Sequence, residues 1–236
     1  ELVNIDSGSG DAEGTGKSAA YFAEGFTQLG WQVQLHATDP SVGPCLQVTN
    51  SGQEPYDMLL IGHMDTVFTK GTAAERPFAV REGRAYGPGV VDMKASLLTA
   101  YYALRQLQAE GALDGTSICL AFNSDEEISS RYSRAWIESL AVKSRCAIVL
   151  EPARADGSMV NTRRGVGRYT ITCKGVPSHT GIAPEKGVSA INELAHWILG
   201  LHGLTDYAKG TNVNVGVIKG GTTPNADADD AVAGVD

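Results

Sequence analysis

Asp57-Met-Leu-Leu-Ile-Gly-His-Met-Asp65 decides the fold: a short, nearly continuous apolar run, Met58 to Ile61, delivers a histidine and an aspartate just beyond its carboxyl end. Such a run suits a central strand covered on both faces, because only then are all its side chains kept from water. Two more runs have the same form. Ser117-Ile-Cys-Leu-Ala-Phe122 leads into Asp125, Glu126 and Glu127, and Cys146-Ala-Ile-Val-Leu150 leads into Glu151-Pro152. Between the first two lies a helical stretch, Met93 to Glu110, closed by Gly111. Upstream, Phe22, Phe26 and Leu29 recur at helical spacing until Gly30, and Trp31-Gln-Val-Gln-Leu35 alternates as a half-buried strand does. Strands alternating with helices predict an α/β domain with a mainly parallel, mixed sheet over residues 1–162.

The character changes near Arg163. Gly167-Arg-Tyr-Thr-Ile-Thr-Cys-Lys174 alternates, a helix follows from about Val188 to Leu201, and Asn212-Val-Asn-Val-Gly-Val-Ile218 alternates again. Strand, helix and strand with one polar face predict a smaller α+β unit over residues 163–236, with one side of its sheet exposed. The chain has no internal repeat and no low-complexity linker.

Composition narrows the function. The net charge is −8, from 19 basic and 27 acidic residues, which argues against a nucleic-acid partner because nothing in it would displace phosphate counterions. No stretch approaches the ~20 apolar residues that cross a bilayer, so no membrane partner is expected. Four cysteines, Cys45, Cys119, Cys146 and Cys173, are scattered without a CxxC pair and read as buried free thiols. The compartment stays open between cytoplasm and periplasm.

In open α/β sheets ligands bind beyond the carboxyl ends of the strands, so His63, Asp65, Glu126, Glu127 and Glu151 are expected in one crevice. Asp92 joins them, after the turn Tyr86-Gly-Pro-Gly89 and directly ahead of the 93–110 helix, whose N-terminus favours an anion. Each has a plainer reading by itself: an Asp before a helix is commonly a cap, a lone His structural, paired glutamates a solvated turn, and Glu-Pro a strand end. Their coincidence at one sheet edge outweighs these readings. Clustered carboxylates repel one another and need positive charge, which a pair of divalent metal ions supplies. His63 and Asp65, two apart on an extended segment, point the same way, so the carboxylate can hold the imidazole's second nitrogen. The side chains of Glu126 and Glu127 diverge, leaving one to bind metal and its neighbour free as a base. Mixed histidine and carboxylate ligation suits Zn2+, with Co2+ or Mn2+ as substitutes.

Five stretches in order, Gly62-His-Met-Asp-Thr-Val67, Tyr86-Gly-Pro-Gly-Val-Val-Asp-Met-Lys94, Asn123-Ser-Asp-Glu-Glu127, Glu151-Pro152 and Ser178-His-Thr-Gly181, resemble the M20 metallopeptidases, the glutamate carboxypeptidases in particular. The resemblance implies a zinc-peptidase-like catalytic domain followed by a ferredoxin-like lid that also mediates dimerisation. It implies two Zn2+ ions, with His63 and Glu151 on one, Glu127 on the other and Asp92 bridging both. Asp65 would orient His63, and Glu126 would serve as general base. His179 would reach across a homodimer to the substrate carbonyl in the partner's site, and Asn225 would lie near the substrate carboxylate. The implied activity is hydrolysis of an amide bond beside a free carboxylate, in a peptide or N-acyl amino acid, releasing a C-terminal amino acid such as glutamate. Aminoacylases, other N-acyl-amino-acid deacylases, and di- and tripeptidases are the alternatives within the family.

Three departures accompany the resemblance. Family members carry a further zinc-binding His and a substrate-binding Arg beyond the stretch that ends here at Asp236, so weak or no turnover is expected of a chain of this extent. Met93 stands where many relatives have a second acidic residue, and Asn225-Ala-Asp-Ala lacks a following proline. From another class, Gly14-Thr-Gly-Lys-Ser18 resembles the end of a phosphate-binding loop, but Asp11 stands where that loop needs its first glycine and no apolar strand precedes it. These residues read as a flexible turn entering the first helix. A non-catalytic relative acting as a binding module would be expected to lack Glu126 or several ligands, and all are present.

Overall fold

In the computed structural model, which describes residues 1–236, the three apolar runs lie side by side as strands of one sheet. The elements run α1 (Ala12–Gln28), β1 (Gln32–His36), β2 (Cys45–Thr49), β3 (Met58–His63), α2 (Thr72–Glu75), β4 (Ala79–Arg81), β5 (Arg84–Tyr86), α3 (Ala95–Ala109), β6 (Ile118–Asn123), α4 (Arg134–Ala141) and β7 (Ala147–Val149). The sheet order is β1-β2-β6-β3-β7. β3 pairs in parallel with β6 and β7, while β2 runs antiparallel to both β6 and β1, so four of the five strands point the same way. β2 is absent from the sequence reading, although Cys45-Leu-Gln-Val-Thr49 alternates.

Both faces of the central strands are covered, as their continuous hydrophobicity requires. Ile118, Leu120 and Phe122 of β6 meet Phe22 and Phe26 of α1 and Leu97 and Leu104 of α3. Phe22 and Phe122 stack edge to face with centroids 5.4 Å apart. The alternate residues Cys119 and Ala121 turn to the other face, where they join Tyr56, Leu59 and Leu140. Each large side chain withdrawn this way contributes about 1.5–3 kcal/mol. β7 departs from expectation. It lies at the sheet edge rather than the centre, and Ile148 and Val149 remain 45% and 57% exposed.

Two local readings are corrected. Residues 14–18 lie within α1 rather than in a turn: the Asp11 carboxylate caps the helix by accepting the Gly14 N–H, Thr15 Oγ1 donates to the Val42 carbonyl at 2.8 Å, and Lys17 pairs with Glu13 at 2.7 Å. Thr15 is buried and Lys17 engaged, so the segment offers no phosphate cradle. The four cysteines are free, but Cys146 is exposed while the other three are buried. No helix is long and apolar enough to cross a membrane.

The chain divides into two units, Glu1–Met159 and Val160–Asp236. In the second, β8 (Tyr169–Lys174), α5 (Ala190–His202), β9 (Val215–Gly220) and β10 (Asp230–Val235) form an antiparallel sheet of order β8-β10-β9 with one helix on it. Ala190 and Leu194 of α5 pack with Cys173, Ala231 and Ala233, a small core suited to close helix-on-sheet approach. β10 is the middle strand, and nothing in the periodicity of residues 163–236 predicts it.

Candidate metal centre

β3 ends at His63, and its parallel neighbours β6 and β7 end alongside it, so the residues after the three strands emerge at one edge. His63 is almost wholly buried and Asp65 wholly so. The imidazole Nδ1 lies 2.9 Å from the Asp65 backbone carbonyl and 3.5 Å from its carboxylate, so the shorter contact is main-chain. A proton on Nδ1 leaves Nε2 to face the crevice. There it stands 3.0 Å from Asp92 Oδ1, 3.4 Å from Glu151 Oε1 and 3.9 Å from Glu126 Oε2.

Asp92 arrives by a different route from the one its sequence position predicts. The helix begins at Ala95, not Met93, and Lys94 rather than Asp92 is its N-cap residue. Asp92 sits in an irregular turn, Val90–Lys94, with extended backbone (φ −116°, ψ 98°) and a cis peptide to Met93. Its carboxylate points at the imidazole, 3.0 Å from Nε2, instead of capping the helix. Gly89, at φ 69°, makes the turn possible, since a Cβ there would lie 2.6 Å from Thr66 Cγ2. Buried Lys94 ties the turn to the N-terminal segment by donating to the Ile5 carbonyl at 2.6 Å, and burial lowers its amine to about 8.

The Asp65 carboxylate has a second task that its spacing from His63 does not reveal. It accepts the backbone N–H groups of Glu126 at 3.1 Å and Glu127 at 3.2 Å, and the Ser9 hydroxyl at 2.6 Å. It thus fixes the single 3-10 turn, Glu126–Ile128, that presents both glutamates. Asp125 braces the same segment by accepting the N–H groups of Tyr132 and Ser133. Ser9 escaped the sequence reading, because a serine in Ser7-Gly-Ser-Gly10 carries no local sign of a partner 56 residues away.

The carboxylates and the imidazole shift one another's protonation. Burial opposes protonation of His63, yet hydrogen bonds and charge from Asp65 and Glu151 outweigh it and push the imidazole up to about 11. Burial would raise Asp65, but the His63 and Ser9 hydrogen bonds hold it below the ordinary range. Glu126 is raised by partial burial, with the Glu151, Asp65 and Asp92 charges adding to the shift, and Glu127 is raised by burial and by Asp92. Carboxylates that hold a proton on an imidazole this firmly form a site short of positive charge.

Donor atoms of His63, Asp92 and Glu151 lie within 4.8 Å of one another, so these three could hold one metal ion. One imidazole and two carboxylates is a donor set that zinc accepts. Glu127 stands outside that triad and lines a cavity of about 740 Å³ together with Asp92. In the second unit, His179 is exposed, its Nδ1 accepts the Gly181 N–H at 3.1 Å, and its Nε2 lies 3.5 Å from the Asn225 amide. The structure therefore brings His179 and Asn225 together, 46 residues apart in sequence, through the bridge between His179 and Ala226.

A mixed α/β sheet that gathers an imidazole and carboxylates at its carboxyl edge is an arrangement that could hold a metal ion. The model of peptidase family M20/M25/M40 matches residues 59–235, and the chain belongs to that family. It is 33% identical over 227 residues to carboxypeptidase G2 of Pseudomonas sp. (strain RS-16), a match covering 95% of this chain and 55% of that protein. The chain thus spans about half the length of that relative. Among solved structures it resembles aminopeptidase PepT of Bacillus cereus, with TM-score 0.74 and 22% identity over 99% of this chain and 63% of that one. A tripeptidase of Staphylococcus aureus matches with TM-score 0.73 and 24% identity, over 99% of this chain and 62% of that one.

Proposed function

We propose that this chain is the metal-binding part of a hydrolase that cleaves an amide bond beside a free carboxylate and releases a C-terminal amino acid such as glutamate. The observation that carries the reading is His63 Nε2, aimed at Asp92 and Glu151 with Glu126 beside it. His63, Asp92 and Glu151 would hold one ion, and Asp92 and Glu127 contribute to a second, with Zn2+ the expected metal and Co2+ or Mn2+ substitutes. Bound there, the metal supplies Lewis acidity to a carbonyl and to water. Glu126 stands outside the metal triad, 3.9 Å from His63 Nε2 and with its carboxyl raised by partial burial. Its placement suits a base that takes a proton from water and returns it to the leaving nitrogen. Asp65 holds both partners in register, the imidazole from one side and the Glu126 amide from the other.

Likeness to carboxypeptidase G2 supports release of a C-terminal amino acid. Likeness to a tripeptidase keeps small-peptide cleavage as the second reading, beside N-acyl-amino-acid deacylation. The second unit serves in this reading as a lid and homodimer contact, with His179 presented to the partner's substrate carbonyl and Asn225 beside it. The test is zinc content by elemental analysis, followed by assay of N-acyl and peptidyl amino acids with and without chelator. Chelator-sensitive release of the terminal amino acid is expected. Absence of bound metal, or turnover indifferent to chelator, overturns the reading.

A further inference from the structure

The cavity that Glu127 and Asp92 line extends well beyond them. Its other walls include Phe68, Arg76, Arg81 and Tyr86, the last two from the β4–β5 hairpin. Glu127 and Asp92 are the metal-centre carboxylates, and apart from them the lining carries two guanidinium groups against the single carboxylate of Glu75. The Arg76 guanidinium stacks over the Phe68 ring, 4.8 Å from its centroid. Stacking fixes the plane of a guanidinium and leaves its N–H edge for a carboxylate. No carboxylate of the chain lies within ion-pair distance of Arg76 or Arg81. Two unpaired cations beside an aromatic wall, in a cavity opening on the metal centre, are the chemistry of a subsite for an anionic group.

We propose that Arg76 and Arg81 form a specificity subsite that takes a carboxylate borne by the substrate, with Phe68 and Tyr86 packing its hydrocarbon part. The proposal rests on the amide-hydrolase reading, and it names the class of substrate: one whose cleaved bond lies within reach of an added negative charge. The carboxylate could belong to the acyl group or to the amino acid released. A bidentate guanidinium–carboxylate contact is worth enough to discriminate charged from neutral isosteres about tenfold or more.

Four probes separate the sources: butyryl-glycinamide, succinyl-glycinamide, butyryl-glycine and succinyl-glycine, which add a carboxylate on either side of the amide independently. Their binding is measured by calorimetry to the chelator-treated chain and to Arg76→Gln, Arg81→Gln and the double variant, with thermal unfolding as the check on folding. At least one singly charged probe is expected to bind about tenfold more tightly than butyryl-glycinamide, and the double variant to lose that preference while binding butyryl-glycinamide unchanged. The side whose carboxylate matters is the one served by the subsite. Equal binding of charged and neutral probes, or a preference that survives in the double variant, overturns the subsite. Binding without hydrolysis of any probe by the zinc-loaded full-length product retains the subsite and counts against the hydrolase reading, so the two failures are distinguishable.

Discussion

The carboxylate of Asp65 accepts the Glu126 N–H at 3.1 Å, across 61 residues of sequence, while the carbonyl of the same aspartate meets His63 Nδ1 at 2.9 Å. One wholly buried residue thus sets both the imidazole that faces Asp92 and Glu151 and the turn that carries the candidate base. Asp65→Ala is expected to leave the Glu126 and Glu127 N–H groups and Ser9 without their acceptor. Stability should fall by about 3 kcal/mol, and zinc affinity by about tenfold to a hundredfold. Urea unfolding and a zinc-chelator competition check this, and a variant with unchanged zinc affinity contradicts it. Ser9→Ala removes one of the same hydrogen bonds and should lower stability by about 1 kcal/mol.

Glu126→Gln is nearly isosteric and lies outside the metal triad. It should bind zinc as the unaltered protein does, yet turn over about a hundredfold more slowly or worse in the full-length product. Elemental analysis and steady-state rates measure both. Undiminished turnover removes Glu126 from the reaction.

The carboxylates around His63 favour its protonated form. Since its pKa is raised from 6.5 to about 11, zinc binding near neutral pH must displace that proton. Calorimetry in buffers of different ionisation enthalpy should show about one proton released from this group on binding. Affinity should weaken as pH falls. The sign for stability is the reverse in the metal-free chain: a raised pKa contributes fully below 6.5, and the contribution is lost as pH climbs through about 11. Metal-free protein should therefore unfold more easily at pH 10 than at pH 7 by this term, and zinc should abolish the difference.

Gly89→Ala places a Cβ 2.6 Å from Thr66 Cγ2 on a backbone at φ 69°. The strain is expected to cost about 1–3 kcal/mol and to displace Asp92, three residues on. A lowered melting temperature together with weakened zinc affinity is the expected result. Loss of stability with unaltered affinity would show that the turn does not govern Asp92.

The order in which the sequence disclosed this protein follows the range of the forces involved. Strands β3 and β6 and their covering helices are legible because hydrophobic periodicity is local, and the polar residues gathered after them follow from where strands end. The apolar run of β7 predicts a central strand, yet β7 lies at the edge, since such a run says nothing about which strand receives a neighbour. The spacing of Asp92 places it directly ahead of a helix, whereas the helix starts at Ala95 and Asp92 lies in the turn before it. A helix start can be read from spacing, whereas the extended turn that aims Asp92 at His63 depends on Gly89 fitting against Thr66.

What residues 1–236 determined by themselves was the inventory: which imidazole and which carboxylates follow the strands, and the family whose motifs they match. Tertiary structure alone decided their division of labour. It set donor atoms of His63, Asp92 and Glu151 within 4.8 Å of one another, left Glu127 to the neighbouring cavity, and gave Asp65 its second set of partners. The reason is that ligation and hydrogen bonding act over about 3 Å, and only packing brings atoms dozens of residues apart to that separation.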